Sequence, residues 1–191
     1  MTQSLPANAA ALCAAMDQGQ TFSFHVFFGQ DPAAATADAD IATSFLSQAF
    51  PAPFVVDGRG YATAEHYMMA QKAYLFGDTA TGDAVVATSD PNEAKALGRQ
   101  AKGFNAALWD AHKSEIVEQG NFYKFSAHKE LQARLLATNN KVLVDATPWD
   151  KLWAVGLSTD HKDVKSPAKW PGTNLLGFAL MAVRTHLETQ P

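Results

Sequence analysis

Glu65 and Lys72 lie about two helical turns apart in the stretch Thr63-Ala64-Glu65-His66-Tyr67-Met68-Met69-Ala70-Gln71-Lys72. Read as a helix, this stretch puts positions 65, 68/69 and 72 on one face. A carboxylate and an amine then point the same way from an otherwise apolar stripe. Burying either group unpaired is costly, so the pair is either solvated or lines a cavity, and we read it as a cavity. Asp150 joins them as a third candidate because it stands between Trp149 and Trp153. An acid so flanked has a raised chance of a partly dry aromatic setting. Asp145 and Asn174 also stand out as polar groups. Each has a plainer reading: Glu65 as a first-turn charge, Lys72 as a solvated lysine, Asn174 as the cap of the last helix.

The elements that must hold these groups follow from local chemistry. Thr63 is a good N-cap, Glu65 suits the positive end of the helix dipole, and no Pro or Gly intervenes before Gly77. Upstream, residues 1–20 are Ala-rich and read as a loosely attached tail or extra helix. Phe22 to Phe28 reads as a strand ending at Gly29, and Asp31 to Asp40 as a solvated loop. Phe45 to Pro51 is irregular. Phe54 to Val56 is a short strand, and Asp57-Gly58 is a hairpin signal. Asp90, Pro91 and Glu93 resemble a capping box, with Gly98 as the helix end. Trp109 to Phe125 has helical spacing broken at Gly120. A helical face at Leu131, Leu135 and Leu136 continues to Thr138, Asn139-Asn140 turns, and Val142 to Val144 is a strand. Residues 157–171 read as a mobile surface loop, and Asn174 to Leu187 as a closing helix with apolar positions at 175, 176, 179, 180 and 183. The expected fold is mainly α, within the α+β class: one compact domain of helices with a few short strands, spanning 21–191.

Composition narrows the chemistry. The chain has 191 residues, 47% hydrophobic and 18% charged, enough for one sizeable core. Its net charge of −4 leaves no broad basic footprint for nucleic-acid backbones, although one nucleotide or one modified base remains within reach. The single Cys13 excludes an internal disulfide and a cysteine zinc cluster, and a cytoplasmic setting is expected. No apolar run approaches the ~20 residues that cross a bilayer. The zinc helix motif, the nucleophile elbow and the phosphate-binding Gly-Lys-Ser/Thr loop are all missing, so no metal and no cofactor is expected. The residues alone therefore suggest a Glu/Lys/Asp pocket with aromatic walls, suited to a planar ligand such as a nucleobase.

The motifs in order resemble one family, the YbiA-like or NADAR family of N-glycosidases acting on ribosyl compounds. The resemblance runs over roughly 22–187. It is carried by Phe27-Phe28-Gly29, Phe45-x-Ser47-Gln48-x-Phe50, Asp57-Gly58, and Thr63-x-Glu65-His66-Tyr67-Met68-x-Ala70-Gln71-Lys72. It continues through Asp90-Pro91-x-Glu93-Ala94-Lys95-x-Leu97-Gly98-Arg99, Trp109-Asp110, Lys124-Phe125 and Leu135-Leu136-Ala137-Thr138. It closes on Asp150-x-x-Trp153-x-x-Gly156 and Gly172-x-Asn174-Leu175-Leu176-Gly177-x-x-Leu180-Met181-x-x-Arg184. The chain departs from the family pattern at Gln48, Asp145 and Ala154.

The resemblance implies cleavage of a C–N bond at C1 of a ribose. Two substrate classes come with it: ADP-ribose on guanine of DNA or RNA, which we favour, and phosphorylated ribosylamine intermediates of the riboflavin pathway. It also suggests Lys72 as a covalent amine. Alongside it we place Asp150 as proton shuttle or sugar-hydroxyl partner and Glu65 as orienting acid. Phe50, Trp109 and Trp153 are candidates to stack the base, and Arg99 to meet a phosphate. Asp57, Gly58, Gly156 and Asn174 complete the expected substrate-binding set. A non-catalytic ADP-ribose or nucleotide-binding module is the competing reading. The sequence leaves the oligomeric state open.

Overall fold

The structure, a computed structural model, describes residues 5–28 and 45–189. Gly29 and the Asp31–Asp40 loop expected from sequence lie outside the described residues. Helices dominate, with a few short strands, as expected.

The chain packs as two units: Gln48–Gln132, and a second unit formed by Met1–Ser47 with Ala133–Pro191. In the first, β2 (Phe54–Val56) and β3 (Arg59–Tyr61) form an antiparallel hairpin. Its two-residue turn uses Asp57 at φ 49° and Gly58 at φ 77°, the left-handed pair that matches hairpin twist. Helix α2 (Ala64–Leu75) follows. Thr63 caps it by accepting from the His66 amide, and the Thr63 hydroxyl also meets His66 Nδ1 at 2.8 Å. The helix stops at Gly77, φ 75°, in a Schellman closure: the Gly77 amide donates to the Tyr74 carbonyl and the Asp78 amide to that of Ala73.

Three more helices surround α2: α3 (Thr79–Ala87), α4 (Pro91–Arg99) and α5 (Ala106–Ala127). They enclose it so fully that every residue from Ala64 to Ala70 is buried. The expected one-sided stripe is therefore a core helix. Asp90 caps α4 with Pro91 in the first turn, but Glu93 does not close the capping box on Asp90. It bonds the Thr88 hydroxyl, and Thr88 in turn accepts from the Asp90 amide at 3.2 Å.

Gly98 stands in the last turn of α4, near the end expected there, and an added Cβ would stand 2.4 Å from Met69 Sδ. The interruption expected at Gly120 does not occur. Gly120 lies inside α5, where an added Cβ would stand 2.7 Å from Tyr67 Cδ1. Both are points of close helix approach.

The second unit holds α1 (Ala9–Asp17), with Leu12 buried and packed toward the 3-10 turn Pro167–Lys169. It also holds a parallel pair of strands, β1 (Phe24–Phe27) and β4 (Val142–Asp145), registered Phe24 to Val142 through Phe27 to Asp145. Helix α7 (Leu175–Thr189) packs on β4. The short helix α6 (Lys129–Leu136) carries the chain from one unit into the other. Residues 157–171 fold on themselves: the Trp170 indole donates to the Val164 carbonyl at 2.9 Å, Lys169 pairs with Asp163, and Val164 and Pro167 are buried.

Candidate active site

The expected site residues divide between the two units. Phe50, Asp57, Gly58, Glu65, Lys72, Arg99 and Trp109 belong to Gln48–Gln132; Asp150, Trp153, Gly156 and Asn174 belong to the other.

Within the first unit, Glu65 and Lys72 have different surroundings. Glu65 is buried at the start of α2, and its amide donates to the Gln48 carbonyl at 2.8 Å. The Gln48 side chain reaches two more core groups: Asn121 Nδ2 donates to its Oε1 at 2.6 Å, and its Nε2 stands 4.0 Å from Met68 Sδ. Asn121 Nδ2 also donates to the Val117 carbonyl at 2.8 Å, while its buried Oδ1 accepts no hydrogen bond among the described residues. One turn further along α5, Lys124 is 0% exposed, its Nζ 5.5 Å from the Phe50 ring centre and 5.1 Å from that of Phe125. Burial brings its pKa down from the ordinary lysine range to about 7. Gln48 and Asn121 thus link the start of α2 to the stretch of α5 that carries the buried Lys124.

Lys72 lies at the other end of α2 and is half-buried. Its Nζ stands 5.1 Å from the Phe104 ring centre and 5.6 Å from that of Trp109, contacts worth about 0.5–2 kcal/mol each when the amine is charged. Its pKa is lowered, first by burial and then by the Arg99 guanidinium. Arg99, in the last turn of α4, is exposed. Lys72 therefore sits against one half-exposed ring and one buried ring, with the Arg99 charge near enough to act on it. Asp57 and Gly58 are exposed at the hairpin tip, where their backbone angles make the turn.

In the second unit, Asp150 Oδ1 accepts from the amides of Leu152 and Trp153, both at 2.8 Å. The carboxylate thereby fixes its own turn. Trp149 does not wall it in: that ring is 69% exposed and meets the edge of Phe28. Gly156, at φ 73°, serves the bend after Trp153.

Asn174 is buried and in the left-handed region at φ 55°. Its Oδ1 accepts from the Asp145 amide at 3.0 Å and its Nδ2 donates to the Leu143 carbonyl at 2.8 Å. Its carbonyl starts α7 by accepting from Phe178, but the side chain clasps β4 and does not cap the helix. Asp145 is buried at the end of β4 and accepts from the Thr147 hydroxyl at 2.7 Å.

Sequence reasoning missed Lys124 and Phe104 as site candidates. Lys124 appeared there only as a motif letter beside Phe125. Phe104 gave no signal, because its place beside Lys72 comes from the turn between α4 and α5. No group of three or more His, Cys, Asp or Glu side chains is arranged to hold a metal among the described residues. No described helix is long and apolar enough to cross a membrane.

Comparison with known proteins gives the same frame. The chain matches the NADAR domain over residues 35–188. It is 44% identical over 144 residues to the N-glycosidase R617 of Acanthamoeba polyphaga mimivirus, covering 73% of this chain and 85% of that protein. It is 33% identical over 138 residues to the N-glycosidase YbiA of Escherichia coli, covering 72% and 78%. The NMR structure of E. coli YbiA superposes with a TM-score of 0.65 at 27% identity, over 96% of this chain and 94% of that one. The chain belongs to the NADAR domain family.

Proposed function

We propose that this chain hydrolyses the C1–N bond of a ribosyl compound, with ADP-ribose on guanine of nucleic acid as its substrate. The class of reaction is supported by relatives named N-glycosidases: the chain is a hydrolase acting on N-glycosyl bonds. The substrate reading is supported by one observation, the seating of Lys72 against the rings of Phe104 and Trp109 with the Arg99 charge near enough to lower its pKa. The Arg99 guanidinium suits a phosphate and flat rings suit a base. That guanidinium lies on a chain of net charge −4, so the attraction is local.

The chemistry asks for a neutral amine. The Nζ lone pair attacks C1 while the C1–N bond breaks, and the base leaves with the bonding electrons and takes up a proton. Nζ then gives up one proton and the ring oxygen takes one, so the C1–O bond breaks, the ribose ring opens, and a protonated imine is left between Nζ and C1. Water adds to C1 and releases the amine. Burial and Arg99 both favour the uncharged form of Lys72. Glu65 orients the amine-bearing helix from its buried first turn. Asp150 keeps the role of proton shuttle or sugar-hydroxyl partner given to it on sequence, between Trp149 and Trp153; for Asp150→Asn, a fall in kcat well beyond any loss of product affinity supports the role, and equal losses reject it.

A second reading exchanges the amines. Lys124 is fully buried, close to half neutral near pH 7, and one turn from Asn121, whose buried Oδ1 accepts no hydrogen bond among the described residues. Borohydride treatment during turnover, followed by peptide mapping, separates the two: an adduct on Lys72 supports the first reading, one on Lys124 the second, and no adduct rejects both. Assaying ADP-ribosylated guanosine beside a phosphorylated riboflavin-pathway ribosylamine tests the substrate. Free base from the second alone overturns the ADP-ribosyl reading, and none from either leaves a binding module.

A further inference from the structure

Phe104 precedes α5 in the turn that leaves α4, directly after Gly103, whose φ of 72° suits only glycine well. An added Cβ at Gly103 would stand 3.3 Å from the Phe76 carbonyl oxygen, so the turn is seated closely against the end of α2. The Phe104 ring is then held from two directions. It meets Phe76 edge-on, centroids 5.3 Å apart at 76°, and takes Lys72 Nζ at 5.1 Å. Even so, 53% of the residue is exposed. Single exposed apolar side chains are common and need no explanation. A ring that is braced, half-open and shares its amine with Trp109 is a different object, because rigid aromatic faces take planar bases without reorganising.

We propose that Phe104 is the stacking platform for the planar base joined to C1, and so sets the preference for an aromatic leaving group. The inference deepens the reading above and rests on Lys72 acting at C1. Lys72 Nζ lies over the ring, so a base that stacks there displaces the amine from that face to the base's edge, where the glycosidic nitrogen is. Trp109 backs the amine from within the fold, at 9% exposure, and is less open to receive a base.

The test compares Phe104→Leu, which keeps an apolar side chain without a π-face, with Phe104→Tyr, which keeps the ring. For ADP-ribosylated guanosine, Phe104→Leu is expected to raise KM about tenfold, the scale of losing one base stack, with kcat falling less than threefold. Inhibition by free guanine should weaken in parallel, inhibition by ADP-ribose should not, and Phe104→Tyr should behave as the parent. Unchanged KM, or equal loss of guanine and ADP-ribose inhibition, overturns the proposal. A loss seen only with a modified oligonucleotide assigns the ring to a flanking base and overturns it as well. Borohydride trapping on Lys72 in the parent enzyme reports separately on the underlying reading.

Discussion

The two ends of α2 do opposite things with charge. The first turns carry the buried Glu65 to Gln48, which meets Asn121 one turn from the buried Lys124, whose pKa falls to about 7. The last turns carry Lys72 to an edge shared with Arg99, Phe104 and Trp109, where aromatic faces and a second cation do the tuning. Both ends make an amine easier to deprotonate, one chiefly by desolvation, the other by desolvation with like charge. The dry end costs stability and offers little access. The open end offers access and a smaller perturbation. A nucleophile needs both access and a neutral form, which is why Lys72 is the first assignment and Lys124 its rival.

The largest expected effect decides between them. Lys72→Ala should cut turnover by about three orders of magnitude or more, as expected for a lost covalent nucleophile, with the thermal midpoint near that of the parent. If Lys72→Ala keeps near-normal rates while Lys124→Met abolishes them, the two ends trade roles.

Next comes stability. The folded pKa of Lys124 lies below its unfolded value, so between about 7 and the ordinary 10.5 the unfolded chain binds more protons. Stability should therefore rise with pH across that window, and the full penalty should apply below it. Lys124→Met should flatten the slope and stabilise the fold at pH 7 by on the order of a few kcal/mol. Urea unfolding at pH 6.5, 8.0 and 9.5 measures both, within a range that stays below tyrosine ionisation. A parent with no slope would mean that Lys124 is solvated in solution.

The smallest effect sharpens the open end. Arg99→Gln removes a like charge beside Lys72, so the Lys72 pKa should rise and the acid limb of kcat/KM should move to higher pH, with a severalfold loss at pH 7. An unmoved limb with raised KM would make Arg99 a phosphate contact only.

What was legible in the sequence was local. The Thr63 cap, the Asp57-Gly58 hairpin and the Gly77 stop are each written in adjacent residues whose backbone preferences act without help from the rest of the fold. Gly120 does not interrupt its helix as expected, because glycine has two uses, ending helices and letting them approach, and only the partner Tyr67 tells which applies; Gly98 serves both, in the last turn of α4 and against Met69. Helix α3 gave no helical signal: its threonines and Gly82 are poor helix formers, yet Gly82 fits against the Tyr74 ring. Lys124 was hidden for a related reason. A lysine in a helical pattern normally reads as solvent-facing, and its burial depends on Phe50, which is distant in sequence. The sequence did single out Asn174, but its geometry needs β4 in register beside it.

Asn174 has one more consequence. Along β4, the Val142 and Ala146 amides turn toward β1, while the Leu143 carbonyl and the Asp145 amide turn the other way. One carboxamide meets both of those outward groups, and the Val155 amide takes the Asp145 carbonyl. A bare strand border is an invitation for another polypeptide to add itself on. Here the outer border of β4 is already occupied from within, so that side of the pair offers another polypeptide no free row of groups.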